Sequence, residues 1–321
     1  MNCKHCYRDA GNEYEDELNT KEAKNLIEEI AKAGFKILIF SGGEPFMRPD
    51  IYELVTHAVK NGLRPVFGSN GTLITPEVAK KAKEAGAMAV GISLDSLNKE
   101  MHNSFRQVDK GWERAVQGME NCKEAGLRFQ IHTTVMNWNY KEILDITRFA
   151  ENIGASAHHI FFLVPTGRAV DMQDEFLDQR QYEELLTSIV NNGKEVNIEV
   201  KPTCAPQFMR IAKENDVDYR FTKGCLAGIS YCIINPKGDV QPCAYLDVPI
   251  DNVRKKPFSQ IWKENSVLNV LRTTSYKGKC GICNYKDICG GCRARAAYYH
   301  DGDYMAEETL CIYNGGKHSN E

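Results

Sequence analysis

The sequence has no run of about 18 apolar residues, which excludes a membrane-spanning helix of the usual kind. It also has no excess of charge of either sign. Forty Lys and Arg stand against 43 Asp and Glu, a formal net charge of −3. So nearly neutral a chain is poorly suited to nucleic acid or an anionic membrane, and neither is expected as a partner. The amino terminus, Met1-Asn2-Cys3-Lys4-His5-Cys6, lacks the apolar centre of a signal peptide, so a cytoplasmic location is expected. No low-complexity tract is present, and nothing repeats beyond an alternation of helical and strand patterns.

Cysteine is what the chain has in quantity: twelve in 321 residues. Without a signal peptide, that count points to metal rather than to disulfides. Two cysteines sit near the amino terminus, eight lie between Cys225 and Cys311, and Cys122 and Cys204 stand apart.

Roughly the first two hundred residues alternate helices and short apolar strands. Asn19 to Ala33 reads as a helix: Asn19 and Glu22 form a capping-box pair, Ala23, Leu26, Ile27 and Ile30 share a face, and Gly34 ends it. Strand patterns fall at 35–40, 65–68, 87–94, 129–135, 158–163 and 196–200. Helical patterns fall at 50–61, 75–85, with Pro76 at its first position, 112–125, 140–153 and 179–190. This repetition predicts an α/β fold with a parallel sheet, and the number of units favours a barrel or partial barrel. In such folds, functional residues gather where strands end. After about residue 215 the pattern gives way to cysteine-rich loops, with a hairpin over 233–243 turning at Asn235-Pro236-Lys237-Gly238.

Cys280-x2-Cys283-x5-Cys289-x2-Cys292 is the strongest local signal. Thiolates at that density suit zinc or an iron–sulfur cluster, and this stretch alone leaves a structural zinc knuckle open. Cys225, Cys232, Cys243 and Cys311 bring the total to eight, enough for two four-cysteine clusters. Cys3-x2-Cys6-Tyr7 is weak alone. It gains meaning from Ser41-Gly42-Gly43-Glu44-Pro45, which directly follows a strand. There the glycines let the backbone approach a ligand, and Glu44 can hold an ammonium group.

With these residues in place, the chain resembles the radical S-adenosylmethionine (SAM) superfamily, in the subgroup with a carboxyl-terminal SPASM domain. The resemblance implies a partial (β/α)6 TIM-like barrel over 1–215, a SPASM domain over 216–313, and a disordered tail over 314–321. The family pattern is Cys-x3-Cys-x2-Cys before an aromatic residue. Cys3, Cys6 and Tyr7 match all but the first cysteine, which falls ahead of Met1 together with the first barrel strand. The expectation is an amino-terminally truncated chain, or a start assigned too far downstream, that supplies two of three thiolates for the SAM-binding 4Fe-4S cluster.

By the same resemblance, Gly42, Gly43, Glu44 and Pro45 bind the SAM amino group. Ser69, Asn70, Ser93 and Asp95 contact its ribose and methionine parts, Arg106 its carboxylate, and Val164 its adenine. Cys225, Cys232, Cys243 and Cys292 are assigned to a first auxiliary 4Fe-4S cluster, and Cys280, Cys283, Cys289 and Cys311 to a second. A low-potential flavodoxin or ferredoxin is implied as electron donor.

Segments such as Phe161-Phe162-Leu163-Val164-Pro165-Thr166-Gly167-Arg168-Ala169 and Lys201-Pro202-Thr203-Cys204-Ala205-Pro206 resemble the branch that acts on iron tetrapyrroles. The reaction this implies is removal of acetate chains from 12,18-didecarboxysirohaem to give iron-coproporphyrin III. Alternatives are side-chain removal in d-type haem synthesis, decarboxylation of iron-coproporphyrin to haem, and SPASM peptide maturation. Cys204, just past a predicted strand, is a candidate catalytic or substrate-facing residue, or else a packed loop thiol. Cys122 shares a helical stripe with Trp112, Ala115 and Met119 and reads as core. His132, His158 and His159 lie in or beside strands, either as hydrogen-bonded core residues or as iron ligands.

Overall fold

A computed structural model describes residues 2–8, 10–11 and 16–314; of the expected tail over 314–321, residues 315–321 lie outside them. Six strands, β1 (Ile37–Phe40), β2 (Arg64–Ser69), β3 (Ala89–Ser93), β4 (Phe129–Val135), β5 (Ala157–Phe162) and β6 (Glu199–Thr203), pair in sequence order. Every pairing is parallel, and the sheet curls into a half-barrel. Helices α1 (Thr20–Lys32), α2 (Ile51–Lys60), α3 (Pro76–Ala85), α4 (Lys99–Arg106), α5 (Gly111–Glu124), α6 (Ile143–Ile153), α7 (Gln179–Asn192) and α8 (Phe208–Glu214) flank the strands, and α4 packs its Phe105 with Met136, Leu163 and Ala169 beyond the strand ends. No helix among the described residues is long and apolar enough to cross a membrane.

Local chemistry sets these boundaries. At the start of α1 the Asn19 side chain accepts from Glu22 N (3.0 Å) and the Glu22 carboxylate accepts from Asn19 N (2.9 Å). Two orphan donors are satisfied at once. In α3, Pro76 takes the first position behind a Thr75 cap, and Gly86 ends the helix at φ +99°. That left-handed conformation costs glycine nothing.

Two differences from the sequence reading have physical causes. Helix α4 was not expected; it is short, but Asn98 caps it by accepting from Met101 N at 3.1 Å. The last strand runs three residues further on than 196–200 and includes Pro202. Proline lacks an N–H, and β6 tolerates it because it lies at the sheet's edge.

Alternation along the strands divides the sheet into two walls. The convex wall (Phe67, Val90, Ile92, Phe129, Ile131, Ile160) meets Ala82, Ala115, Met119, Ile146 and Ile189 from the helices in one core. Cys122 belongs to it, fully buried, as its stripe predicted; burial pushes its thiol up to about 12. His158 also lies within the sheet–helix layer, between Thr147 Oγ1 (2.9 Å) and Thr133 Oγ1 (2.8 Å). It is a hydrogen-bonded core histidine. The concave wall, in register across the strands, carries Gly91, Ser93, Gln130, His132, His159, Glu199 and Lys201.

Beyond α8 lies a small antiparallel sheet, β7 (Ile233–Ile234), β8 (Asp239–Gln241) and β9 (Asp251–Asn252), with the expected turn before Gly238 at φ +89°. Then come α9 (Phe258–Glu264), α10 (Ser266–Leu271), α11 (Gly278–Gly281) and α12 (Arg293–Tyr299). This part meets the barrel twice. Val240, Phe258 and Ile261 pack on Ile27, Ile30, Leu54 and Ala58 of α1 and α2. Leu246, Tyr276, Cys292 and Ala294 pack around Val164 at the strand ends.

At the second junction Arg295 and Glu308, both side chains fully buried, form an ion pair at 3.1 Å. Removing one partner of such a pair leaves an uncompensated buried charge and costs about 3–5 kcal/mol. Glu308→Gln is therefore expected to lower the unfolding free energy of the anaerobic protein, read from its urea titration, by an amount of that order. The Arg295→Met/Glu308→Leu double variant is expected to recover most of it. An unchanged midpoint in Glu308→Gln rules out a structural role for the pair.

Candidate active site at the carboxyl ends of the strands

The Cys3–Cys6 loop is fixed from several directions. Cys6 N donates to Cys3 O (3.3 Å) and Lys4 N to Phe105 O (3.2 Å). The His5 ring stacks on Phe105 with centroids 4.5 Å apart. After β5, Arg168 reaches back: its Nε donates to Cys3 O (2.8 Å), its Nη1 to Ala10 O (3.2 Å), and its backbone N to Cys6 O (3.1 Å). Gly167 makes this approach possible. Its φ is +58°, and a Cβ there would lie 2.4 Å from Cys6 O. Tyr7 and Arg8 tie the loop to the far part of the chain: Tyr7 packs on Tyr245 at 5.1 Å, and Arg8 Nη1 donates to Gln241 Oε1 at 2.7 Å.

Next to this loop, directly past β1, lies Gly42-Gly43-Glu44-Pro45. Glu44 accepts from Ser69 Oγ (2.9 Å), Asn70 N (2.9 Å) and Phe46 N (3.4 Å). Burial nevertheless raises its carboxyl above the usual range, with those bonds opposing. Ser69, Asn70 and Glu44 therefore act as one unit. Ser69 Oγ also accepts from Gly71 N (2.9 Å), while Asn70 Oδ1 closes a turn by accepting from Thr72 N (2.8 Å). Ser93 Oγ donates to Ser69 O (3.4 Å), linking the ends of β2 and β3.

Asp95 and Arg106, both named from sequence as SAM contacts, are engaged with each other. Arg106 Nε and Nη2 donate to the Asp95 carboxylate at 2.6 and 3.0 Å. Asp95 is wholly buried, and also accepts from Thr134 N at 3.0 Å. Burial by itself raises its carboxyl, but Arg106 overrides that and holds it down to about 2. Asp95 thus orients Arg106, which in turn stands beside Cys3. Val164 is buried in the junction cluster.

Sequence reasoning missed the Arg168 clamp on the loop, the Tyr7–Tyr245 ring contact and the Arg295–Glu308 pair. Each joins residues far apart in sequence, so no local pattern marks it. On the concave wall, the His132 and His159 rings stack at 5.1 Å with planes 6° apart. Burial lowers both imidazoles' affinity for protons, so each is neutral at ordinary pH.

The cysteine sulfurs are already served by backbone donors. Ala10 N points to Cys6 Sγ (3.4 Å), Tyr245 N to Cys243 Sγ (3.5 Å), Glu308 N to Cys280 Sγ (3.3 Å), Tyr285 N to Cys283 Sγ (3.4 Å) and Gly291 N to Cys289 Sγ (3.4 Å). N–H donors aimed at sulfur favour the thiolate, and hydrogen bonds of this kind tune iron–sulfur clusters. Without such a group, burial holds the thiols protonated: Cys243 is pushed up to about 12 and Cys311 to about 11. Among the described residues, no three His, Cys, Asp or Glu side chains converge tightly enough for a single ion. The donor set, cysteine sulfurs with backbone N–H groups aimed at them, fits iron–sulfur groups.

Comparison with known proteins agrees with this chemistry. Residues 1–150 match the family model described as the radical SAM superfamily, and residues 225–293 an iron-sulfur cluster-binding domain, SPASM. An AdoMet-dependent heme synthase of Nitratidesulfovibrio vulgaris is 44% identical over 97% of this chain and 88% of its own length. One of Methanosarcina barkeri is 43% identical over 99% and 94%. The Fe-coproporphyrin III synthase of that same organism is 30% identical over 97% and 84%. Among solved structures, Streptococcus suis SuiB bound to S-adenosylmethionine superposes with a TM-score of 0.76, covering 97% of this chain and 74% of that one, at 16% identity.

The Gly167 contact yields a prediction for the loop. Gly167→Ala forces the loop away from Arg168, at a cost of about 1–3 kcal/mol for overpacking. About 1.4 kcal/mol corresponds to tenfold in an opening equilibrium. Tryptic cleavage after Lys4 and Arg8 is expected to accelerate about tenfold or more in the variant. Equal cleavage rates in variant and parent dismiss the contact.

Proposed function

The chain belongs to the radical SAM superfamily and carries a SPASM iron–sulfur domain, and on that premise we propose that it is an AdoMet-dependent haem synthase that decarboxylates iron-coproporphyrin. The observation that carries this reading is a contrast in likeness within one organism. Against Methanosarcina barkeri proteins, identity is 43% to the heme synthase and 30% to the Fe-coproporphyrin III synthase, both over nearly the whole chain. Acetate removal from 12,18-didecarboxysirohaem, to which the sequence segments pointed, is the second reading; the 30% relative keeps it in view.

In this proposal Cys3 and Cys6 provide thiolates for the SAM-binding cluster. Glu44, held by Ser69 and Asn70, receives the SAM amino group, and Arg106, oriented by Asp95, lies beside the loop for its carboxylate. Gly42, Gly43 and Pro45 shape the backbone there, and Val164 backs the adenine. When bound, the reduced cluster and SAM supply a 5′-deoxyadenosyl radical able to take hydrogen from an unactivated carbon. Each propionate that becomes vinyl then loses one hydrogen atom, carbon dioxide and one electron. The electron needs an acceptor, and an auxiliary iron–sulfur cluster held by the cysteines after about residue 215 would supply one. A low-potential flavodoxin or ferredoxin supplies the reducing electron.

The test is anaerobic reconstitution of the protein, expressed with any in-frame codons upstream of Met1. Release of 5′-deoxyadenosine is followed with iron-coproporphyrin III and with 12,18-didecarboxysirohaem. Haem formation from the first substrate is expected. Turnover of only the second overturns the decarboxylase reading in favour of deacetylation, and turnover of neither removes tetrapyrroles as the substrate class.

A further inference from the structure

The four thiols assigned by resemblance to the first auxiliary cluster do not share one place. Cys225, Cys243 and Cys292 are electrostatic neighbours of one another. Backbone bonds support them: Cys225 N donates to Cys289 O (3.1 Å), and Cys292 N to Glu308 Oε2 (2.7 Å). Cys232 stands apart. It sits at the foot of β7 and packs, with Ile234 and Leu38, against the apolar cluster formed by α1, α2 and α9. The charge that bears on its thiol is the Arg272 guanidinium.

A different cysteine stands with the three. Cys204 packs in the junction cluster together with Cys243 and Cys292. The thiols of Cys292, Cys243 and Cys225 are all electrostatic neighbours of its own. Its backbone is bound to the same framework: Arg295 Nη2 donates to Cys204 O (2.8 Å), while Arg295 pairs with Glu308, the acceptor for Cys292 N. Cys204 also holds φ +59° without being glycine. A side chain in that region costs about 1–2 kcal/mol and persists only where its surroundings fix it. Leaving β6 in this way turns the residue out of the strand into the thiol group.

We infer that Cys204, rather than Cys232, completes the thiolate set of the first auxiliary cluster with Cys225, Cys243 and Cys292. Three ligands then come from the SPASM part and one from the end of a barrel strand, so the cluster bridges the two. Arg295 contributes a buried positive charge beside a group rich in thiolate. Cys232 is a packed thiol of the hairpin.

The inference rests on the iron–sulfur reading of this domain, and the test separates the two. The protein is reconstituted anaerobically with iron and sulfide alongside Cys204→Ala, Cys204→Ser and Cys232→Ala. Iron and sulfide per chain, Mössbauer spectra, and the electron paramagnetic resonance of the dithionite-reduced protein are recorded. Cys204→Ala is expected to lose up to about four irons per chain or to shift one auxiliary signal. Cys204→Ser, whose oxygen can stand in for sulfur, is expected to retain more iron with an altered spectrum, and decides the matter where the alanine variant does not fold. Cys232→Ala should match the parent. A Cys204 pair indistinguishable from the parent, or loss of the signal in Cys232→Ala, overturns the assignment. A parent with no auxiliary iron overturns the domain reading and this assignment with it.

Discussion

The Arg295–Glu308 pair is the constraint from which the functional end of the molecule is built. A fully buried ion pair is tolerable only when its remaining hydrogen-bonding capacity is used. Here that capacity is spent on the site's own backbone. Arg295 donates to Cys204 O, to Leu163 O at 3.4 Å and to the Tyr182 hydroxyl at 3.1 Å. Glu308 accepts from Cys292 N and from Leu310 N. The ends of β5 and β6, helix α7 and the cysteine ladder are thereby referred to one pair of charges. Charge of either sign left alone in that position is costly, so the two parts of the chain are matched to each other in position.

The amino-terminal cysteine loop is held by a different principle. It has little core of its own, and its backbone is taken up by Phe105, Arg168 and Gly167 on the barrel, with Tyr7 and Arg8 reaching Tyr245 and Gln241. The loop therefore sits between barrel and cysteine-rich domain, and both contribute to its position. Asp95 serves this end at one remove. Both its oxygens accept from Arg106 and Oδ1 also accepts from Thr134 N, leaving Arg106 fixed beside Cys3. Residues that touch a ligand and residues that position them look alike as a motif in sequence; only burial and partnership tell them apart.

That distinction marks how far the sequence could be read. The α/β alternation, the capping box at Asn19, the hairpin turn at Gly238 and the core position of Cys122 follow from local periodicity and turn chemistry, and the structure has them. The placement of Gly42 to Pro45 beyond a strand end was equally legible. Helix α4 was not, because its signal is a single cap on a short and largely polar segment. The grouping of the thiols was not either. The family resemblance assigns Cys232 together with Cys225 and Cys243, which share one short stretch of the chain. Folding the hairpin onto α1 and α2 carries Cys232 away, while the end of β6 brings in Cys204 from outside that stretch. Which thiols lie near one another is set by this packing and not by their order along the chain.

The concave wall follows from the same division of labour. Its convex counterpart is mostly hydrocarbon, interrupted by the bonded Thr133–His158–Thr147 group, because five parallel pairings must be covered by helices. The inner face is free of that demand and carries glycine, polar and charged side chains together with some apolar ones. Gly91 opposes the His132 ring so closely that a Cβ would lie 2.0 Å from it. The stacked imidazoles of His132 and His159 thus occupy room that glycine supplies. Ile37 and Ile39, on the same inner face at the β1 edge, stay about half exposed, at 54% and 52%. One end of the trough is therefore apolar and the other carries imidazole, Glu199 and Lys201.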